Sequence, residues 1–427
     1  MNTRWSILPA AVIAAFLLSC NPKEKNKESM QSQNPKTAKE ILGNPEYQAM
    51  CYGGYRQPSR DVQPSLEQLK EDMRILSAMG IKFLRTYNVQ LAHAGNMLKA
   101  ISEIKKETPG FEMYVMLGAW IDCKNAWTDM PVDHNVESEH NEAEIARAVA
   151  LANQYSDIVK VIAVGNEAMV KWATSYYVQP GIILKWVNHI QTLKEEGKLS
   201  KDLWVTSSDN FASWGGGSDE YHVENLNKLI KAVDYISMHT YPMHDTHYNP
   251  VFWKVEEGDT ISTKQDLVEK LMDNSLNYAK SQYESVKRYM LSIGVDKPIH
   301  IGETGWASSD NKLYGIKGAN ACDEYKEGLF YHALRDWTNK EGISCFYFEA
   351  FNENWKDSRN QGGSENHFGL FTLEGKAKYA LWDLVDQGAF TGLSRDGNPI
   401  NKTYEGNKEA LFQEVLIPST NHEMSTP

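Results

Sequence analysis

The chain has 427 residues, 41% of them hydrophobic and 23% charged, and carries a net charge of −12 at pH 7. Those values suit one large globular domain or two to three small ones and exclude disorder of the whole chain. The acidic balance leaves no basic excess to neutralise phosphates, so no nucleic acid is expected as a partner. The 12 Trp, 21 Tyr and 13 Phe supply flat rings that fill cores and on which sugars or bases stack, and composition does not separate those uses.

In chain order, residues 1–19 read as a signal peptide. Arg4 gives a positive start, and an apolar run over 7–18, too short to span a bilayer, ends in Leu17-Leu18-Ser19-Cys20. That ending resembles a bacterial lipobox, which implies cleavage before Cys20 and lipidation of its thiol. The expected location is the bacterial cell envelope, with the lipid bilayer as a partner through the lipid on Cys20, and Asn21 beside it favours the outer membrane. Residues 20–44 are rich in Lys, Asn, Ser and Gln and read as a flexible tether.

A catalytic domain is expected over 45–417. Short β-rich runs fall at 50–56, 81–87, 112–118, 159–165, 202–208, 234–240, 298–303 and 343–350. Between them lie helical patterns. At 64–80, Leu66, Leu69, Met73, Ile75 and Leu76 sit near helical spacing, with Pro64-Ser65 at the start and Gly80 at the end. Similar segments are 92–107, 140–156, 180–197, 222–232, 263–293, 322–340 and 376–386. Alternation of this length predicts a closed (β/α)8 barrel. A doubly wound open sheet is the rival, but the first strand leads into GGYRQPSR rather than a Gly-rich phosphate turn. WGGGS (214–218) is a loop, since no GK[ST] follows. The stretch 418–427 reads as a loose tail.

Export makes disulfides possible for Cys51, Cys123, Cys322 and Cys345, whose three pairings stay open beside the alternative of small buried apolar side chains. No Cys/His zinc spacing is present, and His239, His244 and His247 lack the HExxH arrangement, so they are expected as loop histidines near substrate. No cofactor and no metal are assigned. His300, within a strand, is expected in the core. Trp120, Trp127, Trp214, Trp253 and Trp355 follow predicted strands, where packing is the default and ring stacking the alternative.

Chemistry in such a barrel sits at the C-terminal strand ends. The fourth predicted strand runs through Val161-Ile162-Ala163-Val164 into Gly165-Asn166-Glu167, and the seventh through Ile299-His300-Ile301 into Gly302-Glu303. Each is an apolar run, then glycine, then a glutamate. Two glutamates brought to one mouth suit glycoside hydrolysis, one as acid and one as carboxylate, about 5–5.5 Å apart in a retaining enzyme. Asn166 is placed to hold a sugar hydroxyl, Trp306 to wall the site beside Glu303, and Tyr241 to donate a hydrogen bond to Glu303.

At these residues the sequence resembles glycoside hydrolase family 17, the β-1,3-glucanases. VGNE (164–167) is similar to the family's acid motif, which implies Glu167 as general acid/base, and GETGW (302–306) to its nucleophile motif, which implies Glu303. LRTY (84–87) implies that Arg85 supports the nucleophile and Tyr87 lines the sugar site. HTYP (239–242) supplies Tyr241, and FYFEAFNENWK (346–356) places Glu353, Trp355 and Lys356 at subsite-lining positions, with HFGLF (367–371) after it. The resemblance implies a retaining hydrolase of β-1,3-glucan such as laminarin. A β-1,3-glucanosyltransferase would use the same residues, and a surface glycan-binding lipoprotein would need neither carboxylate. Long segments at 119–140, 242–263 and 304–322 depart from the family pattern and leave endo or exo action open.

Overall fold

The computed structural model describes residues 36–249, 251–254 and 261–419. Eight strands close into a barrel: β1 (Gln48–Cys51), β2 (Ile81–Arg85), β3 (Tyr114–Ala119), β4 (Val159–Asn166), β5 (Trp204–Asn210), β6 (Ile236–His239), β7 (Ile299–Thr304) and β8 (Cys345–Tyr347). Each pairs in parallel with its sequence neighbours, and β8 returns to β1 through Ala49↔Phe346 and Met50↔Tyr347. The outer helices are α1 (Leu66–Ala78), α2 (Ala92–Glu107), α3 (Asn141–Gln154), α4 (Pro180–Glu195), α5 (Glu224–Ala232), α6 (Lys264–Ser292), α7 (Glu324–Glu341) and, after a 3₁₀ turn at Tyr379–Leu381, α8 (Trp382–Asp386). This is the (β/α)8 barrel that the alternation predicted.

Local chemistry explains the boundaries. Ser65 accepts from the Gln68 backbone N–H while the Gln68 side chain bonds back to Ser65, a capping box that starts α1 where the apolar spacing starts. Thr263 and Asp266 do the same for α6. Gly342 ends α7 in a left-handed conformation that glycine adopts without a Cβ clash. Every residue of β3 and β7 is buried, because barrel strands face packed side chains inside and helices outside.

Two boundaries differ from expectation. The tether does not extend to residue 44. Thr37 caps a short helix, Ala38–Ile41, through a capping box, and Ala38 and Ile41 are fully buried. The Gly43 N–H donates to Ser344 Oγ at 2.9 Å, which fixes the segment at the start of β8. Three apolar side chains, Ala38, Ile41 and Leu42, suffice to bury a segment whose overall composition is polar. At the other end the Ser419 N–H donates to Ala319 O at 3.0 Å, so residues 418–419 belong to the folded body rather than to a loose tail. Cys20, the signal segment and residues 420–427 lie outside the described residues.

Cys51, Cys123, Cys322 and Cys345 are all free and buried, as small apolar residues would be. His300 is buried and its Nδ1 accepts from the Ser344 N–H at 3.1 Å.

Ile41 tests the corrected boundary. Ile41→Ala should lower the unfolding free energy by about 2–5 kcal/mol in urea titration, the usual cost of emptying a buried aliphatic site. A mobile tether would give no change.

Candidate active site

The two glutamate strand ends reach one mouth, and small residues make that possible. A Cβ on Gly302 would come within 2.1 Å of Ser237 Oγ and 2.4 Å of Ser208 Oγ, so only glycine lets β7 approach the floor of β5 and β6. On β4, Gly165 has φ +83° and Glu167 φ +46°. The left-handed turn redirects the chain so that the Glu167 side chain points into the mouth, held by its own N–H donating to Ser208 O at 2.9 Å.

Glu303 is buried and doubly held. The Tyr241 hydroxyl donates to Oε1 at 2.7 Å, and Arg85 Nη1 donates to Oε2. Arg85 is itself 1% exposed; Nη1 also donates to Gly302 O at 2.9 Å and Nη2 to Asn166 Oδ1 at 2.5 Å. Its guanidinium lies 4.8 Å from the centre of the Tyr87 ring. One guanidinium therefore joins β2, β4 and β7. Burial pushes the Glu303 carboxyl up, but the Arg85 charge and the hydrogen bond from the Tyr241 hydroxyl carry it below its ordinary value.

Glu167 has the opposite environment. Burial first, and then the negative charge of Glu303, push its carboxyl up to about 8. His239 Nδ1 lies 3.2 Å from Oε1. Burial holds that imidazole near pKa 4, hence neutral, and its Nε2 is 2.8 Å from Ser208 Oγ, which in turn is 2.8 Å from Ser237 Oγ. When Glu167 carries its proton it donates to Nδ1, and Nε2–H donates to Ser208. The mouth thus holds one anionic and one protonated carboxyl at neutral pH, the asymmetry that acid–nucleophile chemistry needs.

A second cluster follows β8. Glu353 is buried and accepts from the Tyr55 N–H at 2.9 Å and from the Trp355 indole N–H at 2.8 Å. Lys356 pairs with Glu349, lies 3.5 Å from Glu353 and stands 3.9 Å from the centre of the Phe348 ring. Phe348 meets Tyr87 and Tyr241 edge to face at 6.4 and 6.3 Å, which ties this cluster to the Glu303 side of the mouth.

Of the predicted site residues, Arg85, Tyr87, Asn166, Glu167, Tyr241 and Glu303 come together, with Glu353, Trp355 and Lys356 alongside. Trp306 does not. It is fully buried, donates its indole N–H to Ala321 O at 2.9 Å and packs on Trp253 and on Phe330 of α7. Glu303 faces the mouth, but by residue 306 the chain has turned behind the strand end into the layer between barrel and helix. Nor are the three histidines in a loop: His239 ends β6, and His244 and His247 lie in a short helix, Pro242–Tyr248. Sequence reading also missed Ser208 and Ser237 and gave no role to Glu349, which lies within FYFEAFNENWK (346–356). The polar run Ser207-Ser208-Asp209-Asn210, closing an otherwise apolar strand, was the available signal.

The chain matches the family model described as the BtgE/BtgC glycoside hydrolase domain over residues 49–369. It belongs to that family of glycoside hydrolases. It is 65% identical to an endo-laminarinase from Formosa Hel1_33_131, covering 92% of this chain and 100% of that one with a TM-score of 0.89. It is 23% identical over 333 residues to a glucan 1,3-beta-glucosidase of Arthroderma benhamiae, 76% of this chain and 87% of that one. A glycoside hydrolase family 17 β-1,3-glucanosyltransferase from Rhizomucor miehei shares the fold at 19% identity and TM-score 0.53, over 78% of this chain and 96% of that one.

Two carboxyls pushed this far apart predict a bell-shaped pH profile of kcat/KM for this glycoside hydrolase. Activity should fall on the acid side as Glu303, shifted below its ordinary value, takes up a proton, and on the alkaline side near pH 8 as Glu167 loses one. Removing the Arg85 charge disfavours the anion, so Arg85→Met should move the acid limb to higher pH; an unmoved limb would separate Arg85 from Glu303's ionisation.

Proposed function

We propose that the protein cleaves β-1,3-linked glucan by double displacement, with Glu303 as nucleophile and Glu167 as acid and then base. The observation that carries the reading is two buried carboxyls at one mouth in opposite surroundings, Glu303 against the Arg85 guanidinium and the Tyr241 hydroxyl, and Glu167 beside His239 with no cation of its own, its carboxyl pushed up by burial and by Glu303. The substrate rests on the names of the relatives, the laminarinase above all.

In the first step a Glu303 oxygen attacks the anomeric carbon, the glycosidic C–O bond breaks, and the Glu167 proton goes to the leaving oxygen. Forming the ester removes the Glu303 charge. That charge is the second cause, after burial, of Glu167's raised pKa, so its carboxyl becomes more acidic once the ester exists, the direction its change from acid to base needs. In the second step Glu167 takes a proton from water, the resulting hydroxide oxygen bonds the anomeric carbon, and the ester C–O bond breaks to restore Glu303. Tyr241 and Arg85 keep hold of the carboxylate oxygens through the cycle. Asn166, tied to Arg85, presents its amide beside the acid, where it suits a sugar hydroxyl. Glu353, Trp355 and Lys356 line the side that receives the sugar attached to Glu303.

The Leu17-Leu18-Ser19-Cys20 sequence supports placement in the cell envelope through a lipid on Cys20. Such an anchor would hold the barrel at a membrane surface, where a soluble polysaccharide comes to it.

Glu303→Gln should abolish release of reducing sugar from laminarin while leaving the thermal midpoint near that of the wild type. Glu167→Gln should lower kcat by about 10²–10⁴-fold on natural glucan. Full activity in Glu303→Gln, or products of inverted anomeric configuration by NMR, would overturn the double displacement.

A further inference from the structure

The polar run that closes β5 holds a carboxyl to which the mechanism gives no task. Asp209 is fully buried, so no substrate reaches it. Both of its oxygens are met by backbone donors. Oδ2 accepts from the Met169 N–H at 2.7 Å, and Oδ1 accepts from the Asn210 N–H at 2.8 Å. Burial pushes this carboxyl up to about 7, against the pull of the Met169 N–H and of His239. An apolar side chain would be buried there without that cost, which points to the acceptor itself as what the position supplies.

The donor it serves belongs to the acid's own turn. Met169 lies two residues after Glu167, on a stretch that has left the sheet. The β4–β5 ladder ends at Asn166↔Ser208, and the Glu167 N–H still takes the Ser208 carbonyl, at 2.9 Å. Parallel ladder bonds recur every second residue, so the next donor is the Met169 N–H. By then the chain has turned away through the left-handed Gly165 and Glu167. The Asp209 carboxylate stands where a ladder carbonyl would have been. Successive residues of β5, Ser208 by its backbone and Asp209 by its side chain, thus pin the chain before and after the Glu167 Cα. A left-handed φ is costly for a residue with a Cβ, and it persists where surrounding bonds over-determine it.

We propose that Asp209 is a positioning residue for the acid: by holding the Met169 N–H it fixes the turn that aims the Glu167 carboxyl at the leaving oxygen. The proposal rests on the glucanase reading above and adds to it a residue that never meets the substrate. The acid is then aimed from β5, whereas Glu303 is held from β2 by Arg85 and from the chain after β6 by Tyr241. Loosening Asp209 therefore weakens proton delivery to the departing oxygen and spares the attack by Glu303.

The test compares two substrates that differ in their need for the acid. Laminarihexaose expels a sugar oxygen that Glu167 must protonate; β-laminaritriosyl fluoride expels fluoride, which needs little help. For both, kcat/KM reports the first step. Asp209→Ala removes the acceptor, and Asp209→Leu removes it while filling the volume. Each should lower kcat/KM for the hexaose by about 10–100-fold, the scale of a carboxyl displaced by up to about 1 Å, and that for the fluoride by less than about threefold. Asp209→Asn keeps an oxygen for the Met169 N–H and should recover most of the hexaose rate. Unfolded protein lowers both rates alike, so their ratio does not depend on the fraction folded. A ratio unchanged in the two acceptor-free variants, or loss of the fold in both, would overturn the role and leave Asp209 as a strut of the barrel. A ratio as low in Asp209→Asn as in Asp209→Ala would assign the effect to charge rather than to the bond and overturn it as well. A wild-type protein that turns over neither substrate would refute the glucanase reading itself, and this role with it.

Discussion

The site depends on one buried guanidinium. Arg85 ends β2, yet its two terminal nitrogens reach the Glu303 carboxylate and Gly302 carbonyl on β7 and the Asn166 amide on β4. A charge so deeply buried is unfavourable unless matched by an opposite charge and by acceptors for its donors. Glu303 supplies the charge, and the carbonyl and amide supply the acceptors. The same contacts that make Arg85 tolerable fix Glu303 as an anion. The desolvated ion pair is thus a structural solution and a catalytic one at once, and the glycine at 302 is its steric condition.

From that pair the remaining electrostatics follow. With Glu303 anionic, a second carboxyl in the same low-dielectric mouth avoids ionising. Glu167 has no guanidinium of its own; the neutral His239 beside it is suited to accept its proton. The serines at 208 and 237 complete the chain behind His239, so the imidazole is held at both nitrogens. A charged histidine there would favour an ionised Glu167 and weaken the acid. Burial of His239 therefore favours the protonation state that the proposed first step consumes.

Much of this was legible in the sequence, and the failures share a cause. The barrel strands announced themselves because β-branched and apolar runs alternate with helical spacing, and Glu167 and Glu303 because a carboxylate after an apolar strand and a glycine has no structural reason to be there. What the chain order does not carry is side-chain direction once a strand ends. Trp306 lies three residues from Glu303 yet faces α7, while Trp127, eight residues past the end of β3 and easily taken for packing, faces solvent. His239 looked like one of three similar histidines until strand pairing placed it opposite Glu303 across β6 and β7. Residues 36–44 read as tether because composition averages over a window, and three well-placed apolar side chains disappear in that average.

The two sides of the mouth are built from different physics. On the Glu303 side, Glu353, Lys356 and the Trp355 indole form a directional, charged network tied through Phe348 to Tyr87 and Tyr241 beside Glu303. Directional bonds of this kind suit fixing the orientation of a sugar whose anomeric carbon meets Glu303 in the proposed reaction. On the Glu167 side the exposed surface is aromatic, Trp127 with Trp120 and Tyr176, and its polar atoms are turned inward to Asp122. Stacking on such a surface would impose little on the rotation of a ring and leave no fixed hydrogen bond to break.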